Sequence, residues 1–231
     1  AAILVRRSPE SVGLLPDGEK SLAVRSTSGE RISKEFAFTA KQAIRTRALW
    51  LLMFAASAQS VVGTGLMFHQ ISIFDERGLS STTAAAVFGV IAPSLIVGQF
   101  ISGFLADRLP IRLLIAAAQL SITALVLSVF LLSQPWHAYL YGTLFGLTMG
   151  FLMNSTTSIW PDYFGRKHLG SIRGVTQFSN MAAAAGGPLP LAVAFDATES
   201  YDTGLIIFAI VPLLCAVAAF FAFKPTAPIK G

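Results

Sequence analysis

The stretch Gly103-Phe104-Leu105-Ala106-Asp107-Arg108-Leu109-Pro110-Ile111-Arg112 lies between two long apolar runs and carries three charges in its last six residues. A charged turn this short, with a run on each side, is what a chain makes when it leaves a bilayer and re-enters at once. Runs at 83–106 and 113–132 flank the turn, and others lie at 48–74, 137–160, 175–195 and 204–223. Each is about 20 residues or longer, which lets a helix cross roughly 30 Å of hydrocarbon. The alternating pattern of a membrane barrel is missing, so an all-α membrane protein of six transmembrane helices is expected.

Composition agrees. Hydrophobic residues make up 54% of the 231 residues, charged residues 13%, and the mean hydropathy is +0.65, whereas soluble domains carry about 25% charged residues. The net charge of +5 does not point to nucleic acid, because the basic residues lie in short loops and build no exposed basic helix. The lipid bilayer is the expected partner. The single cysteine, Cys215, sits inside the last run, so neither a disulfide framework nor a metal set arises. No catalytic or phosphate-binding spacing stands out, and neither enzymatic activity nor a cofactor is expected.

The loops orient the chain. Of 17 Lys and Arg, Arg77 alone falls on one side, together with Asp75, Glu76, Asp196, Glu199 and Asp202. Nine others lie within 6–47, and the rest are Arg108, Arg112, Arg166, Lys167, Arg173, Lys224 and Lys230. Both termini are therefore expected in the cytoplasm, with the protein in the cell (plasma or inner) membrane. An odd number of spans would mix these loops. The apolar scrap 1–5 reads as the tail of a preceding transmembrane helix, 6–47 as a cytoplasmic central loop, 48–223 as the bundle and 224–231 as a cytoplasmic tail. Thr39 and the basic stretch through Arg47 look like a short interfacial helix start. Trp50 and Trp136 read as interfacial anchors; Trp160 follows a polar stretch and is less easily placed.

The turn at 103–112 resembles the Gly-x-Leu-Ala-Asp-Arg-x-Gly-Arg-Lys signature of the major facilitator superfamily, found between helices two and three and, more weakly, between eight and nine. Gly103, Leu105, Ala106, Asp107, Arg108 and Arg112 match, while Pro110 and Ile111 depart as in the weaker copy. Other segments are similar to monocarboxylate-transporter-like and oxalate/formate-antiporter-like facilitators. They are Arg7 to Gly18, Phe38 to Trp50, Phe164 to Gly174, and Gly187 to Tyr201. The resemblance implies helices seven to twelve, one half of the fold with its 3+3 inverted repeat. It also implies a missing N-terminal six-helix half, and a cytoplasmic gating latch at Gly103, Asp107, Arg108 and Arg112. Carriers of this group place a cation in helix eight or eleven; the matching spans here offer Gln99 and Gln177 with Asn180.

Gly142, Gly146 and Gly150 recur every four residues and predict close helix packing, with Asn154 continuing the stripe. No charge is expected well inside a span, so any proton-coupling carboxylate or solute-anchoring arginine is assigned to the other half. Recognition then falls to uncharged polarity. Gln59, Gly63, Leu66 and Gln70 share one face of the first span, with His69 about 80° away. In the fourth span the hydroxyls can bond their own i−4 carbonyls, which leaves Asn154 and Thr157 as candidates. Gln177 and Asn180 lie near the cytoplasmic side of the fifth span, while Gln59 and Gln99 lie nearer the middle. Pro93, Pro188 and Pro190 with Gly186 and Gly187 are expected to bend their helices.

These readings lead to a secondary active transporter of a small organic solute, a monocarboxylate or related metabolite, working by alternating access with a coupling proton or a counter-transported solute. Two alternatives are a facilitator-fold sensor that binds without transport, and a truncated half that transports only on assembly with another half.

Overall fold

The computed structural model describes residues 37–221 and 225, apart from the side chains of Ile111, Thr156, Thr157, Ser158 and Phe220. The expectations for 1–36 and for 224 and 226–231 lie outside the described residues. All regular structure among the described residues is helical: α1 (Ala40–Ile44), α2 (Arg47–Glu76), α3 (Ser81–Ala106), α4 (Ile111–Ser128), α5 (Pro135–Phe164), α6 (Leu169–Gly186), α7 (Pro188–Thr198) and α8 (Asp202–Phe220). A 3-10 turn, Val129–Leu131, ends α4.

Among the described residues, five helical stretches are long and apolar enough to cross a membrane: α2, α3, α4, α6 continued by α7, and α8. The fourth apolar run forms α5, which has 30 residues but a more polar sequence, interrupted by Tyr139, Thr143, Thr148 and Asn154. Several are satisfied by backbone: the Thr143 hydroxyl donates to the Tyr139 carbonyl at 2.9 Å and Asn154 to the Gln99 carbonyl at 2.9 Å, while the core-facing side of the helix is buried. Tyr141, Thr148 and Leu152 are all at most 2% exposed.

Local signals set the boundaries. The Thr39 hydroxyl accepts from the Gln42 amide, and the Gln42 side chain accepts from Thr39 N–H, closing a capping box at α1. Thr46 caps α2 in the same way through Leu49 N–H, so the first span begins at Arg47 behind a one-turn helix. The 103–112 stretch is a tight helical hairpin. Asp107 is the C-cap of α3, both Arg108 and Leu109 N–H donate to the Leu105 carbonyl, and Pro110 precedes α4 with φ −60°. The Arg108 guanidinium lies 3.5 Å from the Phe104 ring centroid.

The α3–α5 seam is backbone against backbone. A Cβ on Gly146 would stand 2.6 Å from Ser94 Cβ and 2.9 Å from Leu95 N, one on Gly150 would stand 2.9 Å from Gln99 N, and one on Gly142 2.5 Å from Val87 Cγ1. Gly98 answers from α3, where a Cβ would stand 2.9 Å from the Leu147 backbone. Three glycines at successive turns of α5, met by Gly98 of α3, let the two axes approach closely. Asn154 ends the stripe by donating to the Gln99 carbonyl at 2.9 Å.

The proline at 93 leaves α3 a single helix. The Gly187-Pro188 pair interrupts the hydrogen-bond ladder between α6 and α7, but Gly187 keeps helical dihedrals (φ −55°, ψ −42°) and the two segments form one continuous run. Pro188 has no N–H for the Ala184 carbonyl. Gly187 N–H donates to that carbonyl at 3.2 Å, and the Thr64 hydroxyl of α2 lies 3.0 Å from it and 2.7 Å from its own Ser60 carbonyl, so its single proton is shared between the two. Neighbouring side chains re-satisfy the freed group, as the membrane interior requires.

The acidic end of the bundle is knitted together. Arg77 pairs with Asp202, and its guanidinium lies 5.4 Å from the Phe130 ring centroid. The Glu76 carboxylate accepts from the Ser200 hydroxyl at 2.6 Å and from Tyr201 N–H at 3.2 Å. These contacts fasten the end of α2 to the turn between α7 and α8. A buried cluster that includes Phe74, Leu79, Tyr141 and Leu205 lies beneath them. A second cluster, with Leu49, Ile115, Ile159, Phe164 and Ile172, fills the basic end. Large apolar side chains such as Phe54, Phe100, Phe178 and Met181 remain more than 60% exposed, which suits a lipid-facing surface.

Candidate functional site

Between the two clusters a cavity of about 340 Å³ opens where α2, α5 and α6 meet. Gln59 enters from α2, Met149, Met153 and Trp160 from α5, and Arg173, Thr176, Gln177 and Asn180 from α6. The walls are thus an apolar and aromatic side on α5 facing a polar, cationic side on α6. An apolar recess of about 570 Å³ adjoins it, sharing Gln59 and Met149 and running along α2 past Ser60, Gly63 and Thr64 to Phe68.

A ladder of small polar side chains joins α2 to α6 beside the cavity. Ser57 and Ser179 hydroxyls lie 3.1 Å apart, the Ser60 hydroxyl donates to Asn180 Oδ1, and Thr64 reaches the Ala184 carbonyl. The Ser60 bond fixes one end of the Asn180 carboxamide. At the top of the ladder the helices touch through glycine, where a Cβ on Gly65 would stand 2.8 Å from the Gly187 carbonyl.

Arg173 corrects one boundary: it was expected in a loop before a span starting at 175. Instead α6 begins at Leu169, so Arg173 sits inside the helix and lines the cavity. Ile172, 1% exposed, packs the early turn into the basic-end cluster and so extends the helix past Gly170 and Gly174. The signal was present in the sequence: Arg173, Thr176, Gln177 and Asn180 follow i, i+3, i+4, i+7, the spacing of one helix face. A guanidinium matches a carboxylate bidentately.

The other sequence candidates scatter. Gln59, Gln177 and Asn180 come together in the cavity. Gln99 lies on the α3–α5 seam, donating to Met153 Sδ at 3.2 Å and accepting from Asn154 through its carbonyl. Gln70 is 1% exposed and donates to the Ala84 carbonyl at 3.0 Å, tying α2 to α3. His69 sits at the acidic end, with Nδ1 3.2 Å from the Tyr201 hydroxyl and Nε2 3.1 Å from the Pro188 carbonyl. The Thr157 side chain lies outside the described residues. Gly103 faces Asn154, Asp107 is exposed at its cap, Arg108 covers Phe104, and Arg112 lies in the first turn of α4.

Trp160, Met149 and Met153 also line the cavity, and only the polar-stretch position of Trp160 hinted at it. Trp160 is 6% exposed, whereas Trp50 and Trp136 are 54% and 59% exposed, as interfacial anchors would be.

Among curated proteins none matches the chain in sequence. The sequence model of the Major Facilitator Superfamily matches residues 1–188, a stretch that takes in the 103–112 hairpin, the glycine seam and every polar residue of the cavity. A membrane-spanning helical bundle with a polar pocket between its helices fits that match, and the chain belongs to the Major Facilitator Superfamily.

Proposed function

We propose that this chain supplies the C-terminal, six-helix half of a secondary active transporter that moves a small organic solute by alternating access, with α5 as the sixth span. The solute is a monocarboxylate or a related organic anion, as in the monocarboxylate and oxalate/formate group. The observation that carries this reading is the cavity itself, with Arg173 beside Gln59, Gln177 and Asn180 on one side and Trp160 with two methionines on the other. A guanidinium and carboxamides suit a carboxylate, and the thioethers and indole suit a short apolar body. Its volume of about 340 Å³ lies in the range of small-molecule pockets.

Orientation follows from the charges: the end bearing Arg108, Arg112, Arg166 and Lys167 faces the cytoplasm, and the Arg77 end faces outward. The exposed apolar recess along α2 fits the surface on which an N-terminal half would close. Among the described residues that line the cavity none is a carboxylate, so a coupling proton would be carried by the other half or replaced by a counter-transported solute.

The test is uptake into vesicles bearing the full-length protein, screened over carboxylates and neutral metabolites with and without a pH gradient. Saturable, gradient- or counter-solute-dependent uptake of a carboxylate is expected. Uptake of neutral solutes alone would remove the anion assignment, and no uptake of any solute would remove the transport reading.

A further inference from the structure

Gln59 borders a second and much smaller space. Behind a wall of Ala56, Gln59 and Trp160, which also face the solute cavity, α2, α4 and α5 enclose about 20 Å³ whose other polar lining is Gln119 and Ser155. Gln119 is 2% exposed and donates through Nε2 to the Ala55 carbonyl at 3.1 Å. Ala55 stands one helical turn before Gln59, so this bond anchors Gln119 against the same stretch of α2. The orientation of the Gln119 carboxamide is thereby set, since the reverse would bring two acceptor oxygens together.

Both Gln119 Oε1 and Gln59 Oε1 are buried with no partner among the described protein atoms. Two carboxamide oxygens cannot satisfy each other, and a buried acceptor without a donor is strongly disfavoured. What satisfies both is one small group with two donors. A space of about 20 Å³ exceeds the roughly 10–15 Å³ that one water needs and is too small for an organic solute. Ser155 gives its proton to the Phe151 carbonyl at 2.9 Å and lies 3.1 Å from the Ser102 hydroxyl, so it does not compete for the two glutamine oxygens, and both protons of such a water go to them.

We infer that a single ordered water bridges Gln59 Oε1 and Gln119 Oε1, and that through it Gln119 is a positioning residue for the solute site. The inference rests on reading the larger cavity as that site. With its oxygen held inward, Gln59 presents its Nε2 donors to the cavity, on the side where Arg173 already presents a cation. The water thus biases the cavity toward donors, and toward an anionic solute over one rich in hydroxyl donors.

The full-length protein in vesicles tests it, with labelled lactate as the probe and Arg173→Gln as the reference. Gln119→Met keeps the side-chain length and removes the acceptor. A KM raised about tenfold at unchanged maximal rate is expected, and the double variant Gln59→Met with Gln119→Met should be no worse than Gln59→Met alone. If Arg173→Gln weakens uptake while Gln119→Met leaves KM unchanged, or if the two glutamine variants add, the bridge is overturned and the cavity reading stands. If Arg173→Gln has no effect, the cavity reading itself fails. Should Gln119→Met not fold, a density map of the unaltered protein at about 2 Å decides. Density within hydrogen-bond reach of both oxygens supports the bridge; its absence, or Gln59 Nε2 directly on Gln119, overturns it.

Discussion

The α3–α5 and α2–α6 seams solve the same problem in opposite ways. Along α3–α5, glycines bring backbone onto backbone over the middle of the seam, and side-chain contacts such as Asn154 to Gln99 begin only at its end. Along α2–α6, hydroxyls and a carboxamide hold the helices side chain to side chain, and the seam opens into a polar cavity at one end. Inside a bilayer, helix association draws on close packing and polar contacts, since lipid is as apolar as leucine. The first seam uses packing and is rigid, because a close-packed backbone interface has one arrangement. The second uses hydroxyl contacts that water or solute can replace at little cost. A carrier needs both kinds, one to keep its shape and one to change it.

The hardest way to break this contrast is to put a side chain into the glycine seam. Gly146→Leu adds a Cβ 2.6 Å from Ser94 Cβ and three further carbons beyond it. A loss of more than about 3 kcal/mol is expected, read as a melting temperature in detergent lower by roughly 10 °C and a poor yield of monodisperse protein. Wild-type behaviour would show the seam to be looser than its geometry.

Removing the cation of the second seam should spare the fold and damage binding. Arg173→Gln is expected to raise the KM for a carboxylate at least tenfold, about 1.4 kcal/mol, with the melting temperature unchanged. Arg173→Lys should recover part of the loss, because it restores charge without the bidentate fork.

Smaller effects separate the rungs of the ladder. Thr64→Val removes the hydroxyl that serves the Ala184 carbonyl and should cost about 1 kcal/mol in thermal unfolding, since Gly187 N–H still reaches that oxygen. Ser57→Ala should cost only about 0.6 kcal/mol, the usual worth of a polar contact between membrane helices, and leave uptake unchanged. A cost for Ser57→Ala as large as that for Gly146→Leu would erase the distinction between the seams.

Much of this was readable from the chain. Hydropathy gave the long runs, the 103–112 turn gave the family, and a four-residue glycine period gave the close-packed face. The glycine stripe alone, however, does not name its partner, because periodicity describes one helix and pairing belongs to two. The scattering of His69, Gln70 and Gln99 has the same origin: each shares the polarity of Gln59, and only the neighbouring helix decides which is wet. Arg173 was hidden for another reason. Gly170, Ser171, Arg173 and Gly174 lower the hydropathy of the first turns of α6, while the contact that makes them helical is made by Ile172 and Leu169 against a cluster distant in sequence.

Pro188 removes one backbone hydrogen bond where α6 passes into α7, and a change of angle at that joint would swing α6 as an arm. Its pivot is clamped by Thr64, and its far side is fastened, through α7, to the Arg77 end by His69 on the Pro188 carbonyl. Arg173 lies fourteen positions from the pivot, an arm of about 21 Å at 1.5 Å per residue. A tilt of about 10° at that joint would carry the guanidinium roughly 4 Å by the same helical rise. That travel would carry the cation away from Gln59 across the cavity while leaving the opposite end of the bundle where it stands.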